Sequence, residues 1–148
     1  MSEVAAVTAL PEPTADERSM ATLAHVLQLV GGFIAPLIIF FLRRESRFVS
    51  FHALQVLFLQ IANLLFSMVF MVTWFAMMFG SIAATAGQPR GGGPPVMLFL
   101  VFPLLWLFIM ASWVTILTLA IVYGIKAGRG EWANYPVLGK WARQVLHI

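Results

Sequence analysis

Long apolar stretches dominate the chain. Three of them contain no Asp, Glu, Lys or Arg, at residues 19–42, 48–89 and 91–125. One transmembrane helix needs about 20 apolar residues, so the pattern predicts an all-α, polytopic membrane helical bundle with three transmembrane helices. The predicted spans are about 20–42, 50–80 and 96–126. A fourth span stays open, because each of the two longer stretches could hold a helical hairpin.

Two of the predicted helices are longer than a bilayer requires. A helix of about 31 residues reaches ~46 Å, whereas the hydrocarbon core is ~30 Å thick. The second and third spans are therefore expected to tilt, to kink or to enter the interface. Pro103 is the expected kink in the third span, and residues 48–55 could form an interfacial turn before the second.

Composition supports a membrane protein and excludes several other classes. Of the 148 residues, 61% are hydrophobic and 10% are charged, against about 45–50% and ~25% in soluble domains. The lipid bilayer is therefore the first expected partner. The chain has no cysteine, which excludes disulfides and thiolate chemistry. No cluster of basic residues marks a nucleic-acid surface, so no nucleic-acid partner is expected.

The N-terminal segment differs from the rest of the chain. Residues 1–18 are rich in Ala and Pro, and their acidic residues outnumber the single basic residue, Arg18. Such a composition predicts a disordered acidic tail. A secretory signal peptide needs a positive segment before its apolar core, and none is expected here.

Basic residues predict the orientation of the bundle in a bacterial cytoplasmic (inner) membrane. They concentrate in the first loop and after residue 125, at Arg43, Arg44, Arg47, Lys126, Arg129, Lys140 and Arg143. Because basic loops stay in the cytoplasm, three spans place the first loop and the C-terminus there and the N-terminus outside. If the first helix is instead re-entrant, as Gly31, Gly32 and Pro36 allow, the N-terminus is also cytoplasmic.

Residues 127–148 form a predicted cytoplasmic amphipathic tail. Leu138, Trp141, Val145 and Ile148 recur at helical spacing, and Trp132 and Tyr135 suit the headgroup layer. Two interpretations are open: an interfacial helix on the membrane surface, and a cap docked on the bundle without a lipid role.

Polar residues inside the first two spans form one stripe on each helix. In the second span the stripe covers about 140° of the helical wheel. Small and polar residues mark the faces on which membrane helices meet, so we predict a helix–helix polar seam. Its residues are His25, Gln28, Gly32, Pro36, His52, Gln55, Gln60 and Asn63.

Depth along two antiparallel helices predicts the pairing within this seam. Gln28 and Asn63 each lie ~22 Å from the first loop and are expected to share a hydrogen bond. Gln60 or a water is expected to satisfy the Gly32 carbonyl, which Pro36 leaves free. His25 at ~27 Å and His52 at ~6 Å should be far apart, which leaves His52 without a partner.

The same depths predict no metal site, because one metal could not bind both histidines. No Asp or Glu lies inside a span, so carboxylate catalysis is not expected either, and we predict no enzyme activity, no cofactor and no small-molecule substrate. The charged residues nearest the seam are either topology determinants or contacts to headgroups or a partner. They are Arg43, Arg44, Arg47, Arg129, Glu131, Lys140 and Arg143.

Three segments resemble a widespread family of small bacterial membrane proteins that has no assigned function. They read "MATLAHV", "GGFIAPLIIFFLRRESRFVSFHALQ" and "YGIKAGRGEWANYPVL". That family is similar to the membrane subunit of the chloroplast inner-envelope protein-import complex, the Tic-twenty-like group. Phe58 departs from the family pattern, which usually has Asn there. The resemblance implies a membrane bundle, with four spans as in the chloroplast relative, and a role in protein import.

Two functions follow from these observations. The first is a structural, assembly or accessory subunit that packs with a membrane-protein partner or with itself and performs no chemistry. The alternative is a channel or protein-translocation component, in which the polar stripe lines a wet path. The stripe ends after Ser67, where Phe70, Met71 and Trp74 follow, and this favours the first function.

Overall fold

A computed structural model describes residues 12–86 and 96–147, apart from four side chains at the start of the last long helix. These residues form five helices and no strand. The helices are α1 (Ala15–Gly31), α2 (Ile34–Leu42), α3 (Arg47–Thr85), α4 (Val96–Gly128) and α5 (Leu138–Leu146). The prediction of an all-α bundle is thus confirmed for the described residues.

The first predicted span is not one helix. The chain breaks at Gly32, whose φ of 53° is a conformation that residues with a Cβ rarely adopt. The Gly32 N–H donates to the Gln28 carbonyl at 3.1 Å and closes α1 before α2 begins. Two helices in the described residues are long and apolar enough to cross a membrane, Arg47–Thr85 and Val101–Gly128. The count of three spans was therefore wrong.

The start of α1 lies earlier than the sequence predicts. Thr14 and Glu17 form a reciprocal capping box: the Thr14 N–H donates to the Glu17 carboxylate, and the Glu17 N–H donates to Thr14 Oγ1. This cap satisfies N–H groups that the first turn would leave unpaired. Residues 15–18 are consequently helical rather than part of a disordered tail. Residues 1–11 of that predicted tail lie outside the described residues.

Helices α1 and α2 form a hairpin that returns to the end at which it began. The guanidinium of Arg43 lies 2.9 Å from the Asp16 carboxylate, and Ser46 Oγ donates to Glu17 at 2.6 Å. No bilayer can separate groups in such contact. The beginning of α1 and the arginine loop therefore lie at one end of the bundle, and the predicted outside N-terminus loses the span on which it depended.

The five helices are gathered at that charged end. This wide part of the bundle, which we call the collar, consists of α1, α2, α5, residues 47–60 of α3 and residues 115–128 of α4. In the collar, α1 packs against α4, and Thr22 Oγ1 donates to the Gly124 carbonyl at 3.2 Å. Nearly all of α3 between Phe48 and Leu57 is buried there. We call stem the remaining pair, residues 61–85 of α3 and 96–114 of α4.

Helix α5 is docked on α3 and is not a free surface helix. Its Ala142 is buried against Phe51 and Leu54. A Cβ at Gly139 would lie 2.7 Å from the Asn134 Cβ of the preceding loop and 3.0 Å from Gln55 Oε1 of α3, so glycine is needed where α5 meets both. Trp141 and Val145 point away from the bundle and are more than half exposed. Helix α5 thus caps the bundle, and the edge of α5 that faces away from α3 is apolar. Ile148 lies outside the described residues.

The hairpin gives a testable topology. Reporter fusions after residues 15, 45 and 148 should all report the same side of the membrane, because the contacts of Asp16 and Glu17 hold these segments at one end. A fusion in the connection between α3 and α4 should report the opposite side. An outside reporter at residue 15 with a cytoplasmic one at residue 45 would restore three spans and contradict the hairpin.

The contact between Glu17 and Ser46 gives a pH-dependent prediction. The hydrogen bond from Ser46, with the one from the Thr14 backbone, lowers the pKa of Glu17 below its usual value. Its contribution to stability is therefore fully present above the unfolded pKa of about 4.3 and is lost as pH falls through the lower folded pKa. The variant Glu17→Gln keeps the capping geometry and loses the charge.

In detergent, Glu17→Gln should melt below the wild-type chain at neutral pH, and the two melting temperatures should converge in strong acid. Glu12→Gln, at an exposed glutamate, is the matched control and should follow the wild type throughout. A constant difference between Glu17→Gln and wild type at every pH would show that the carboxylate charge has no part in the contact.

Candidate functional site

A buried network of polar side chains lies in the collar, where three predicted seam residues meet a loop residue. His25 Nε2 lies 3.1 Å from His52 Nδ1, and both side chains are fully buried. The prediction that depth separates the two histidines was therefore wrong. That prediction counted back from Arg43 along one continuous helix. Because α1 instead starts at the charged end, His25 is only ~15 Å along its helix, against ~8 Å for His52.

The histidines form one hydrogen-bonded chain with a defined direction. His52 Nε2 lies 3.1 Å from the Glu131 carbonyl, which can only accept, so this nitrogen carries a proton. In a neutral imidazole the other nitrogen is then an acceptor, and His52 Nδ1 accepts from His25 Nε2. His25 Nδ1 in turn accepts from the Tyr135 hydroxyl at 2.9 Å. Each of the four ring nitrogens therefore has a hydrogen-bond partner while both imidazoles stay neutral.

Tyr135 is held at the other end of this chain. Its side chain is 2% exposed, and burial raises the pKa of the phenol well above its usual range. The hydroxyl therefore stays protonated and donates. Gln55 holds the backbone beside it, because Gln55 Oε1 accepts the Tyr135 N–H and Gln55 Nε2 donates to the Ala133 carbonyl at 3.2 Å.

Aromatic rings cover the His52 end of the network. The rings of Phe48 and Phe51 lie 4.7 Å and 5.3 Å from the His52 ring, centroid to centroid, both edge-on. Trp132 packs on both phenylalanines. This apolar cover keeps water away, and in such surroundings each internal hydrogen bond is costly to lose.

A second pair of polar side chains lies further from the charged end. Gln60 Nε2 is 3.3 Å from Gln28 Oε1 and 3.4 Å from the Gln28 carbonyl, and Gln28 Nε2 donates to the His25 carbonyl at 2.9 Å. The predicted pairing of Gln28 with Asn63 was wrong, as was that of Gln60 with Gly32. Both errors have the same cause as the histidine error, since the hairpin shifts α1 along α3.

Beyond this pair, the tip of α1 leaves an open cleft between α3 and α4. Its volume is about 290 Å³, and its polar lining includes Asn63, Ser67 and Ser112. A neighbouring apolar pocket of about 250 Å³ continues the cleft along the stem past Phe70 and Trp74. The remaining seam residues are part of the hairpin, where Pro36 is buried and Gly32 forms the turn.

In the part of the chain that the structure describes, the two buried histidines are not part of a larger cluster of metal-ligating side chains. Among the described residues, no three His, Cys, Asp or Glu side chains lie close enough to hold one. The two histidines do approach each other, but each ring nitrogen already has a hydrogen-bond partner. The hydrogen bonds of the network therefore hold the 131–135 loop against the start of α3 and against α1.

The charged residues predicted for headgroup or partner contact all lie at the collar end. Arg43 pairs with Asp16, and Arg143 donates to Asn134 at 2.9 Å and covers the Phe51 ring. The others are exposed: Arg44, Arg47, Arg129, Glu131 and Lys140. Contact of these residues with lipid or a partner stays a prediction. Glu131 also has a backbone role, because its carbonyl accepts from His52 Nε2.

The sequence did not indicate the role of Tyr135 and of the loop around it. Tyr135 was expected in the headgroup layer, yet it is buried. Its hydroxyl meets His25 across 110 residues of chain. The one available signal was the pair of histidines, which needed partners that the spans alone did not supply. A loop can supply such hydrogen-bond partners, because its backbone carbonyls are not used in a helix and its aromatic hydroxyls can reach into the bundle.

These features define a small, helical, membrane-type protein whose polar groups are bonded to one another inside the bundle. Comparison with protein-family models matches residues 16–142 to the magnetosome magnetite crystal formation protein family, MamF/MmsF. The match covers most of the chain, and the protein belongs to this family. Comparison with curated proteins and with solved structures gives no match.

Membership in this family refines the resemblance inferred from the sequence. A family of small bacterial membrane-type proteins is confirmed, whereas the similarity to the Tic-twenty-like group is not supported. The motifs that suggested it are the ones that build the collar: the His25 and His52 segments, the arginine loop and the 131–136 loop. These motifs thus have a role in packing.

The buried network predicts a large effect for one substitution. His52→Phe keeps a ring of similar size but leaves the His25 N–H and the Glu131 carbonyl without partners. Each buried polar group left unpaired costs about 1–3 kcal/mol, so the free energy of unfolding in detergent should fall by several kcal/mol. His147→Asn is the matched control, because His147 is exposed and its left-handed backbone suits Asn. Equal stability of His52→Phe and wild type would contradict the network.

Proposed function

We propose that this protein is an accessory, assembly-type subunit of the magnetosome membrane that supports magnetite crystal formation without chemistry of its own. Family membership over residues 16–142 carries this proposal. The activity of such a subunit would come from its shape and its surfaces, in the membrane where the crystal grows.

The state of the polar side chains supports the absence of chemistry. His25, His52 and Tyr135 are bonded to one another and covered by aromatic rings. A general base or nucleophile needs a reachable reacting atom, and these groups face each other instead. The network is suited to holding the loop and α5 in place.

The large apolar surface supports a role in association. Residues of the stem such as Leu65, Val69 and Val72 are more than half exposed, and in a membrane they contact lipid, a second copy or another membrane protein. The exposed Arg44, Arg47 and Arg129 would lie on the cytoplasmic side, as the positive-inside rule expects. Lipid and a membrane-protein partner are thus both part of the proposal.

A channel or translocation role has less support. A conducting path needs polar groups through the full depth of the membrane. The polar lining of the cleft ends at Ser67 and Ser112, and the pocket beyond is lined by Phe70, Met71 and Trp74.

The proposal is tested in a magnetosome-forming bacterium that carries this chain. Deletion of its gene should change the size or shape distribution of magnetite crystals in electron micrographs, because a membrane subunit that supports growth is missing. The wild-type chain and His147→Asn should restore the distribution. His52→Phe should fail in proportion to its loss from the magnetosome membrane fraction, measured by immunoblot. Normal crystals after deletion, or absence of the chain from that fraction, would refute the role.

A further inference from the structure

The collar and the stem differ in width within one membrane. Exposed apolar residues on α4 run from Phe99 to Ile125, a distance of ~39 Å along the helix. This apolar belt is longer than a hydrocarbon core of ~30 Å, and its last residues, Ile121, Val122 and Ile125, belong to the collar. Lipid that covers these residues and the apolar surface of the hairpin would embed part of the collar.

The hairpin occupies only one end of this belt. Thr22 of α1 lies beside Gly124 and Gly128 of α4, and the end of α1 at Gly31 is nine residues, ~14 Å, further along the helix. The rest of the belt, ~25 Å toward Phe99, is formed by α3 and α4 alone. The hairpin thus enters one leaflet and stops before the other.

The outer surface of the hairpin is built for lipid. Val30 at its tip is 91% exposed, and Ile34, Ile38 and Phe41 follow on α2, each more than half exposed. Leaving such side chains in water would cost about 1.5–3 kcal/mol each relative to burial. The charged collar end, with Arg44 and Arg47 exposed, then lies at the headgroups, where basic residues attract anionic lipid.

From these dimensions we infer that the protein is a membrane wedge that prefers and promotes curvature. Two extra helices, each about 10 Å across, add about 160 Å² to the collar leaflet and none to the other. Docked α5 widens the collar further. A bilayer accommodates this asymmetry by bending so that the collar leaflet is convex. With the basic end in the cytoplasm, the membrane bends toward a vesicle that lies inside the cell.

This inference does not depend on the proposed role in crystal formation, because it concerns the membrane alone. The full-length chain, labelled with a fluorophore at its C-terminus, would be reconstituted into vesicles of phosphatidylethanolamine and phosphatidylglycerol. Its density per membrane area would be compared between vesicles about 50 nm and about 400 nm in diameter. Curvature-dependent binding of amphipathic elements leads us to expect a ratio of about two-fold or more. Protease access to the C-terminus should also show more collar-outward molecules on small vesicles.

Two variants separate the wedge from a general effect of the fold. Val30→Asp with Ile34→Asp places charges on the hairpin tip and should abolish both the density ratio and the orientation bias. Val30→Ala with Ile34→Ala keeps the tip apolar and should retain them. Both positions are exposed, and circular dichroism would check that helix content is unchanged.

Two results would overturn the wedge. The first is equal density and random orientation of the wild-type chain on both vesicle sizes. The second is a charged variant that sorts like the wild type. If that variant also dissociates an oligomer, a second copy and not lipid covers the hairpin.

Discussion

The hydrogen-bonded chain from Tyr135 through His25 and His52 to the Glu131 carbonyl is the interaction on which the rest of the collar depends. It joins α1, α3 and the loop before α5, which are far apart in sequence. Each member is satisfied only while the others stay in place, since a buried polar group without a partner is costly. Loss of one member should therefore release the loop, and with it the cap that α5 forms over Phe51 and Leu54.

The network also explains why polar side chains can stand so close to lipid. Neutral imidazoles that donate in one direction need no counter-ion, so the collar avoids the cost of buried charge. The charged residues lie instead at the end of the bundle, where Asp16 and Arg43 pair and Glu17 accepts from Ser46. These end contacts close the hairpin, and the internal network fixes its position along α3. Together they produce a bundle that is wide at its charged end and narrow along the stem.

Shape is the property that the proposed function uses. Family membership connects the chain with magnetite crystal formation, and the buried histidines and Tyr135 are hydrogen-bonded to one another. The proposed accessory subunit would act through its effect on the membrane and through what packs against its apolar faces. The cleft beside Asn63 and Ser67 lies where the collar gives way to the stem, at the step in width between the leaflets.

The sequence by itself determined the class of protein, the two long helices, the basic end and five of the polar residues that lie buried in the collar, His25, Gln28, His52, Gln55 and Gln60. These follow from local physics: apolar length decides which segments enter lipid, and polar residues at helical spacing mark a buried face. Only the tertiary structure decided the path of the first helix and every pairing in the seam. Glycines at 31 and 32 permit both a bent span and a full reversal, and the choice between them rests on contacts with α3, α4 and the arginine loop. Because all depths were counted along one assumed helix, that single reversal moved His25 next to His52 and replaced Asn63 with Gln60 as the partner of Gln28.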